Sequence, residues 1–105
     1  MQIYGLEVNK KDAQVILIPV PWEVTVSYGG GTVNGPEAIS NASYQVDLYD
    51  PMVKDAWKKG IGMDRISEEL KNKSKELREL SEEYINALAN GANENDLELK
   101  NIAFT

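Results

Sequence analysis

The sequence predicts an α/β fold built on a parallel sheet. Three observations carry that prediction. Residues 14–20, "QVILIPV", are a nearly continuous β-branched and aliphatic run. A Gly-Pro pair at 35–36 opens a helical segment, and from Asp64 to Asn90 a single apolar stripe recurs at steps of three, four and seven. Taken in order these give a β-α-β-α unit.

The first strand is the apolar run itself. Such a run, without alternation, is the pattern of a strand buried on both faces, as in parallel sheets. Pro19 and Pro21 end it, because neither can donate to a ladder. Before it, "QIYGLEV" at 2–8 has short-strand character broken by Gly5, and Asn9–Asp12 form a polar turn. Trp22 to Asn34 is a long connection in which "EVTVSY" alternates enough to permit extended structure.

Pro36 suits the first turn of a helix, where a missing N–H costs nothing. Asn34 or Gly35 stands near the N-cap and Glu37 lies favourably in the first turn. "VDLYD" at 46–50 alternates, stops at Pro51 and reads as a second strand. Residues 52–62, with Trp57 and a "KKGIG" turn, read as irregular. The amphipathic helix, about 64–90, carries Ile66, Leu70, Leu77, Leu80, Tyr84, Ala87 and Leu88 on one stripe. Asp64 or Ser67 can cap its start, Glu69 can pair with Lys73, and Asn90-Gly91 supplies a left-handed exit. Leu97, Leu99 and Ile102 then begin an apolar pattern that does not complete a further helix.

Composition narrows the function classes. At 105 residues the chain is at most one domain, 1–105, expected to be partial. A net charge of −6 with no basic stripe argues against nucleic acid and anionic membranes as partners. The absence of a basic segment followed by an apolar run predicts a cytoplasmic protein without a signal peptide. No apolar run approaches the length that crosses a bilayer. With no cysteine and no histidine, thiolate nucleophiles, imidazole bases and His-bearing metal sites are excluded for this chain.

The most conspicuous candidate site is the triple glycine, Gly29–Gly31. Glycine loses more freedom on folding than other residues, so such a loop serves an unusual path or a close approach. It is not a phosphate loop: Gly30 and Gly35 have the spacing, but Pro36 stands where the lysine must be. A dinucleotide fingerprint counted from Gly29 and Gly31 fails at Asn34. Asp47, Asp50, Asp55 and Asp64 form no calcium motif, and Asp47 and Asp50 point to opposite faces of a strand. They read as solvated or turn residues. Trp22, Trp57, Tyr44 and Tyr49 suit either the cover of the apolar stripe or a contact surface for a partner.

The order of these features resembles the N-terminal part of the ureohydrolase family, which includes arginase, agmatinase and formimidoylglutamase. The matching positions are Pro21-Trp22 after the strand, Gly31-Thr32, Gly35-Pro36, Ala38-Ile39 and Ser43, and the likeness covers residues 14–51. The chain departs from the commoner pattern in Ser-Tyr-Gly-Gly before Gly31, and in Ser40 where many members carry arginine. The resemblance implies a partial three-layer, parallel-sheet, arginase-like fold, incomplete in this chain. It implies that the loop after the first strand lies by the mouth of an active site, which marks Trp22, Ser27, Tyr28, Gly29, Gly30, Gly31 and Thr32 as entrance residues.

The family's chemistry, by the same resemblance, is the attack of a hydroxide bridging two manganese ions on a guanidinium or imidoyl carbon. The ions are held by Asp and His of later motifs, none of which occurs between Met1 and Thr105. No catalytic or metal-binding residue carries over, and this chain is expected to bind no ion and to be inactive alone. Its expected partner is the remainder of such an enzyme or a second copy of itself. The rival expectation is a small self-associating interaction module, since a two-faced apolar strand needs cover. A small enzyme using carboxylates or lysine alone is disfavoured, because spacing brings no titratable pair into one site.

Overall fold

The computed structural model describes residues 2–26 and 28–93, together with Asn95, Asp96, Glu98 and Asn101. Strand β1 is Val15–Leu17, helix α1 Gly35–Ser43, strand β2 Ile61–Met63 and helix α2 Glu68–Ala89. Short 3-10 turns at Thr32–Asn34 and Ala56–Lys59 precede α1 and β2. The two strands pair in parallel, Val15 with Ile61, Ile16 with Gly62 and Leu17 with Met63. The class is α/β, and α1 lies in the connection between the parallel strands. No described helix is long and apolar enough to cross a membrane.

The chain divides into two compact units. One contains the residues up to Pro21 and Asn34–Ser67, hence the sheet and α1; the other contains Trp22–Val33 and the chain from Glu68, hence the glycine loop and α2.

In the sheet unit the second strand is not at 46–50. The carboxylate of Asp47 accepts the Tyr49 N–H and that of Asp50 accepts the Met52 N–H, both at 2.8 Å. Those local bonds turn the backbone and remove donors a ladder would need. The strand forms instead at Ile61–Met63, within the segment that reads as irregular. Residues 2–8 also differ from the extended reading. Tyr4 and Gly5 have φ of +59° and +68°, and Leu6 N–H closes a turn onto the Ile3 carbonyl at 3.1 Å.

Two serines fasten α1 to this turn. Ser40 Oγ donates to the Gln2 carbonyl at 3.1 Å, and Ser43 Oγ accepts the Tyr4 N–H at 2.8 Å while donating to the Ser40 carbonyl at 2.6 Å. Both serines are buried, as are Ile3, Pro19, Pro21 and Met63. Asn34 caps α1 with helical backbone angles and no side-chain bond; the 3-10 turn leads the chain into the helix in place of a cap.

β1 is not buried on both faces. Val15, Ile16 and Leu17 are all exposed, and Ile18 is 74% exposed. Apolar patterning specifies a strand that wants cover, but a sheet of two strands, among the described residues, supplies no layer for either face.

The sheet leads out into an exposed ion pair. Lys10 bonds the carboxylate of Asp64, whose Oδ1 also accepts the Arg65 N–H at 2.9 Å. The Lys10 ammonium first, and the Arg65 amide second, hold the Asp64 carboxyl below the usual carboxylate range. A carboxyl depressed in the folded state contributes stability above its unfolded pKa, about 3.9, and loses it as pH falls through the folded value. Lys10→Met is therefore expected to raise the Asp64 pKa towards normal in an NMR titration. An unchanged titration in the variant would show that the pair does not form.

Candidate functional site

The glycine loop and α2 make the second unit, and Glu23 is where they meet. Its backbone N–H donates to Ser74 Oγ of α2 at 2.7 Å. Ser74 is 1% exposed, the one buried residue of that helix. One residue on, the Val24 carbonyl accepts Arg78 Nη1 at 3.2 Å, and Arg78 Nε reaches Glu82 Oε1 at 2.9 Å. The start of the loop is thus bonded to α2 at two successive residues.

The far side of the loop is bonded to the Glu23 side chain. Gly31 N–H donates to both carboxylate oxygens, at 2.9 and 3.0 Å, and Val33 N–H donates to Oε2 at 3.2 Å. Only 9% of Glu23 is exposed. The three glycines now have separate reasons. Gly29 and Gly31 take φ of +47° and +130°, which residues with a Cβ rarely adopt. Gly30 is needed for room, since a Cβ there would lie 2.7 Å from Glu23 Oε1.

α2 presents the expected stripe in part. Leu77, Leu80, Tyr84, Ala87 and Leu88 are half-buried, while Leu70 is exposed. Lys73 pairs with Glu76 at 3.8 Å rather than with Glu69. The helix ends as the sequence indicates: Gly91 has φ +89°, its N–H bonds the Leu88 carbonyl at 3.1 Å, and Ala92 N–H bonds that of Ala87 at 3.0 Å. These two bonds are the Schellman closure.

The described residues among those expected at an entrance are exposed. Trp22 is exposed, Tyr28 is 94% exposed, and Gly29, Gly30, Gly31 and Thr32 present exposed backbone. Ser27 lies outside the described residues. What ties Gly31 and Val33 together, beside Gly30, is Glu23, which the sequence reading did not single out. An acidic residue eight positions before Gly31, at the mouth of a glycine run, is the signal that would have found it.

A cleft of about 470 Å3 opens between loop and helix, lined among others by Glu23, Gly30, Val33, Lys71, Lys75 and Arg78. Its cations face Glu68 and Glu82 as well, so the lining is of mixed sign. Glu23 is not placed as a general base: its carboxylate is already bonded by two backbone amides and shielded from water. The sheet unit has its own cavity, about 820 Å3, walled by residues 46–57 including Tyr49 and Trp57. The carboxylates there cap turns, and Asp55 pairs with Lys58 at 3.3 Å.

A 39-residue segment, 37% of this chain, is 49% identical to an N(1)-aminopropylagmatine ureohydrolase of Synechocystis sp.. The likeness is to a ureohydrolase. It is a short, partial relationship, covering 13% of that protein's length. No family model matches the chain, and no solved structure matches it.

A pair of manganese ions does not fit the residues present. The chain offers neither histidine nor cysteine, and no group of three or more acidic residues converges on a metal position among the described residues. No step of a metal-dependent reaction is therefore assigned to these side chains.

Proposed function

We propose that this chain is the first part of a ureohydrolase-like protein whose complete form hydrolyses a C–N bond of a guanidino or formimino compound. The observation that carries the reading is the segment 49% identical to a ureohydrolase. Given the relative's name, a guanidino-bearing amine is the substrate class favoured for the complete protein. The exposed apolar faces of β1 support the same reading, because they suit a strand that belongs inside a larger parallel sheet. In this reading the sheet is the beginning of an arginase-like one. Trp22, Ser27, Tyr28, Gly29, Gly30, Gly31 and Thr32 border the way into the active site. The two manganese ions of a complete family member are bound by Asp and His residues that this chain does not contain, and alone it is inactive.

The test is a manganese titration of the purified chain by calorimetry, with urea release assayed and particle size followed by light scattering. The expected result is no tight metal binding, no urea and a self-associating or aggregating particle. Tight binding of two manganese ions, or turnover of a guanidino substrate, would overturn the reading.

A second reading, a self-associating interaction module without catalysis, is favoured by one observation. Tyr49, Met52, Val53 and Trp57 are exposed along a single connection in addition to β1. A discrete, metal-free dimer that unfolds cooperatively would select this reading over the first.

A further inference from the structure

The carboxylate of Glu23 is nearly buried, and among the described residues it has no Lys or Arg partner within ion-pair distance. A buried charge needs compensation, and here the backbone supplies it through Gly31 N–H and Val33 N–H. Backbone N–H groups converging from one turn, here at residues 31 and 33, form a concavity receptive to anions. The loop is therefore built as an anion receptor, and the chain's own side chain fills it.

The two sides of this arrangement are held unequally. The backbone at Glu23 and Val24 is fastened to α2 through Ser74 and Arg78. The loop residues Tyr28–Val33 are exposed or half-buried, and among the described residues the bonds made by the Gly31 and Val33 amides end on the Glu23 carboxylate. Among the described residues nothing comparable pins the loop tip, where Tyr28 stands almost fully in solvent.

We propose that Glu23 is a latch on the glycine loop: its carboxylate occupies a backbone receptor for one carboxylate group and so fixes the closed loop. Without the side chain the loop opens, and a small free carboxylate takes the vacated place. The space beside Gly30 belongs to the same device, because a Cβ at 2.7 Å from Oε1 would force the carboxylate to shift. The inference stands on the loop geometry and does not depend on the ureohydrolase reading.

The experiment is amide NMR on the full 15N-labelled chain, wild type and Glu23→Ala, with sodium acetate as the probe and sodium chloride at equal ionic strength as the control. In the wild type the Gly31 and Val33 amides are expected to be protected from hydrogen exchange and indifferent to acetate. In Glu23→Ala their protection should fall by about tenfold or more, as suits bonds to a charged acceptor. Acetate, and not chloride, should restore their shifts saturably. Gly30→Ala should open the loop with Glu23 still present. If Glu23→Ala does not fold, Glu23→Gln keeps the size without the charge and should show a smaller loss of protection at the same two amides. Unchanged protection in the variant that folds, or no saturable response of Glu23→Ala to acetate, would overturn the proposal.

Discussion

Gly60→Ala is expected to destabilise the sheet unit by about 2–3 kcal/mol. Two costs combine. Gly60 has φ +79° and ψ +107°, outside the left-handed helical well, and holding an L-residue in so sparsely populated a region costs about 1–3 kcal/mol. The new Cβ would also stand 3.3 Å from Ala13 Cα, the Asp12 carbonyl oxygen and Val8 Cγ1. Two of those are backbone atoms and cannot swing aside. They belong to the segment whose next amides, Gln14 N–H and Val15 N–H, bond the Gly60 carbonyl at 3.0 and 3.2 Å. Relief of the clash therefore pulls at the first rungs of the β1–β2 pairing. Gly62→Ala is the control, since its Cβ meets only Ala13 Cβ, at an ordinary 3.6 Å, without a positive φ. Urea unfolding should separate the two variants clearly. Equal midpoints would mean that the approach at Gly60 is not made.

Ser74→Ala is expected to cost about 1–3 kcal/mol, although alanine is the better helix former by about 0.5 kcal/mol. The hydroxyl accepts the Glu23 N–H at 2.7 Å from a site that is 1% exposed, so its removal leaves a buried donor without an acceptor. The same substitution tests how the loop is fastened to α2. Lys73→Ala, an exposed neighbour, should change stability by no more than about 0.5 kcal/mol. Thermal unfolding of both variants checks this. A Ser74→Ala midpoint at or above that of the wild type would contradict the role given to the hydroxyl.

Much of the framework was legible in the residues, for physical reasons that can be named. Pro36 and Glu37 announce α1, and the spacing of Leu77, Leu80, Tyr84 and Leu88 with Gly91 announces both the face and the end of α2. The glycine run announced an unusual path, and the angles of Gly29 and Gly31 supply it. What escaped depends on bonds between distant residues, or on local bonds that compete with periodicity. "VDLYD" alternates like a strand, yet Asp47 and Asp50 spend their carboxylates on nearby amides and turn the chain. Ile61–Met63 is short and has glycine at its centre, so it carried no strand signal; its pairing follows from the close approach at Gly60. Glu23 was invisible as the loop's organiser because its partners are backbone amides, which leave no residue type to read. The exposure of β1 escaped for another reason: an apolar run reports the cover a strand needs, and the described sheet has only two strands.

If the proposed ureohydrolase origin holds, a segment of this chain can take the place of its relative's segment. The most direct measurement is urea release by a chimera of the Synechocystis enzyme. In it, the 39 matched residues are replaced by those of this chain. With manganese supplied and N(1)-aminopropylagmatine as substrate, a folded chimera is predicted to release urea. A chimera that folds and binds manganese but releases none would contradict the account.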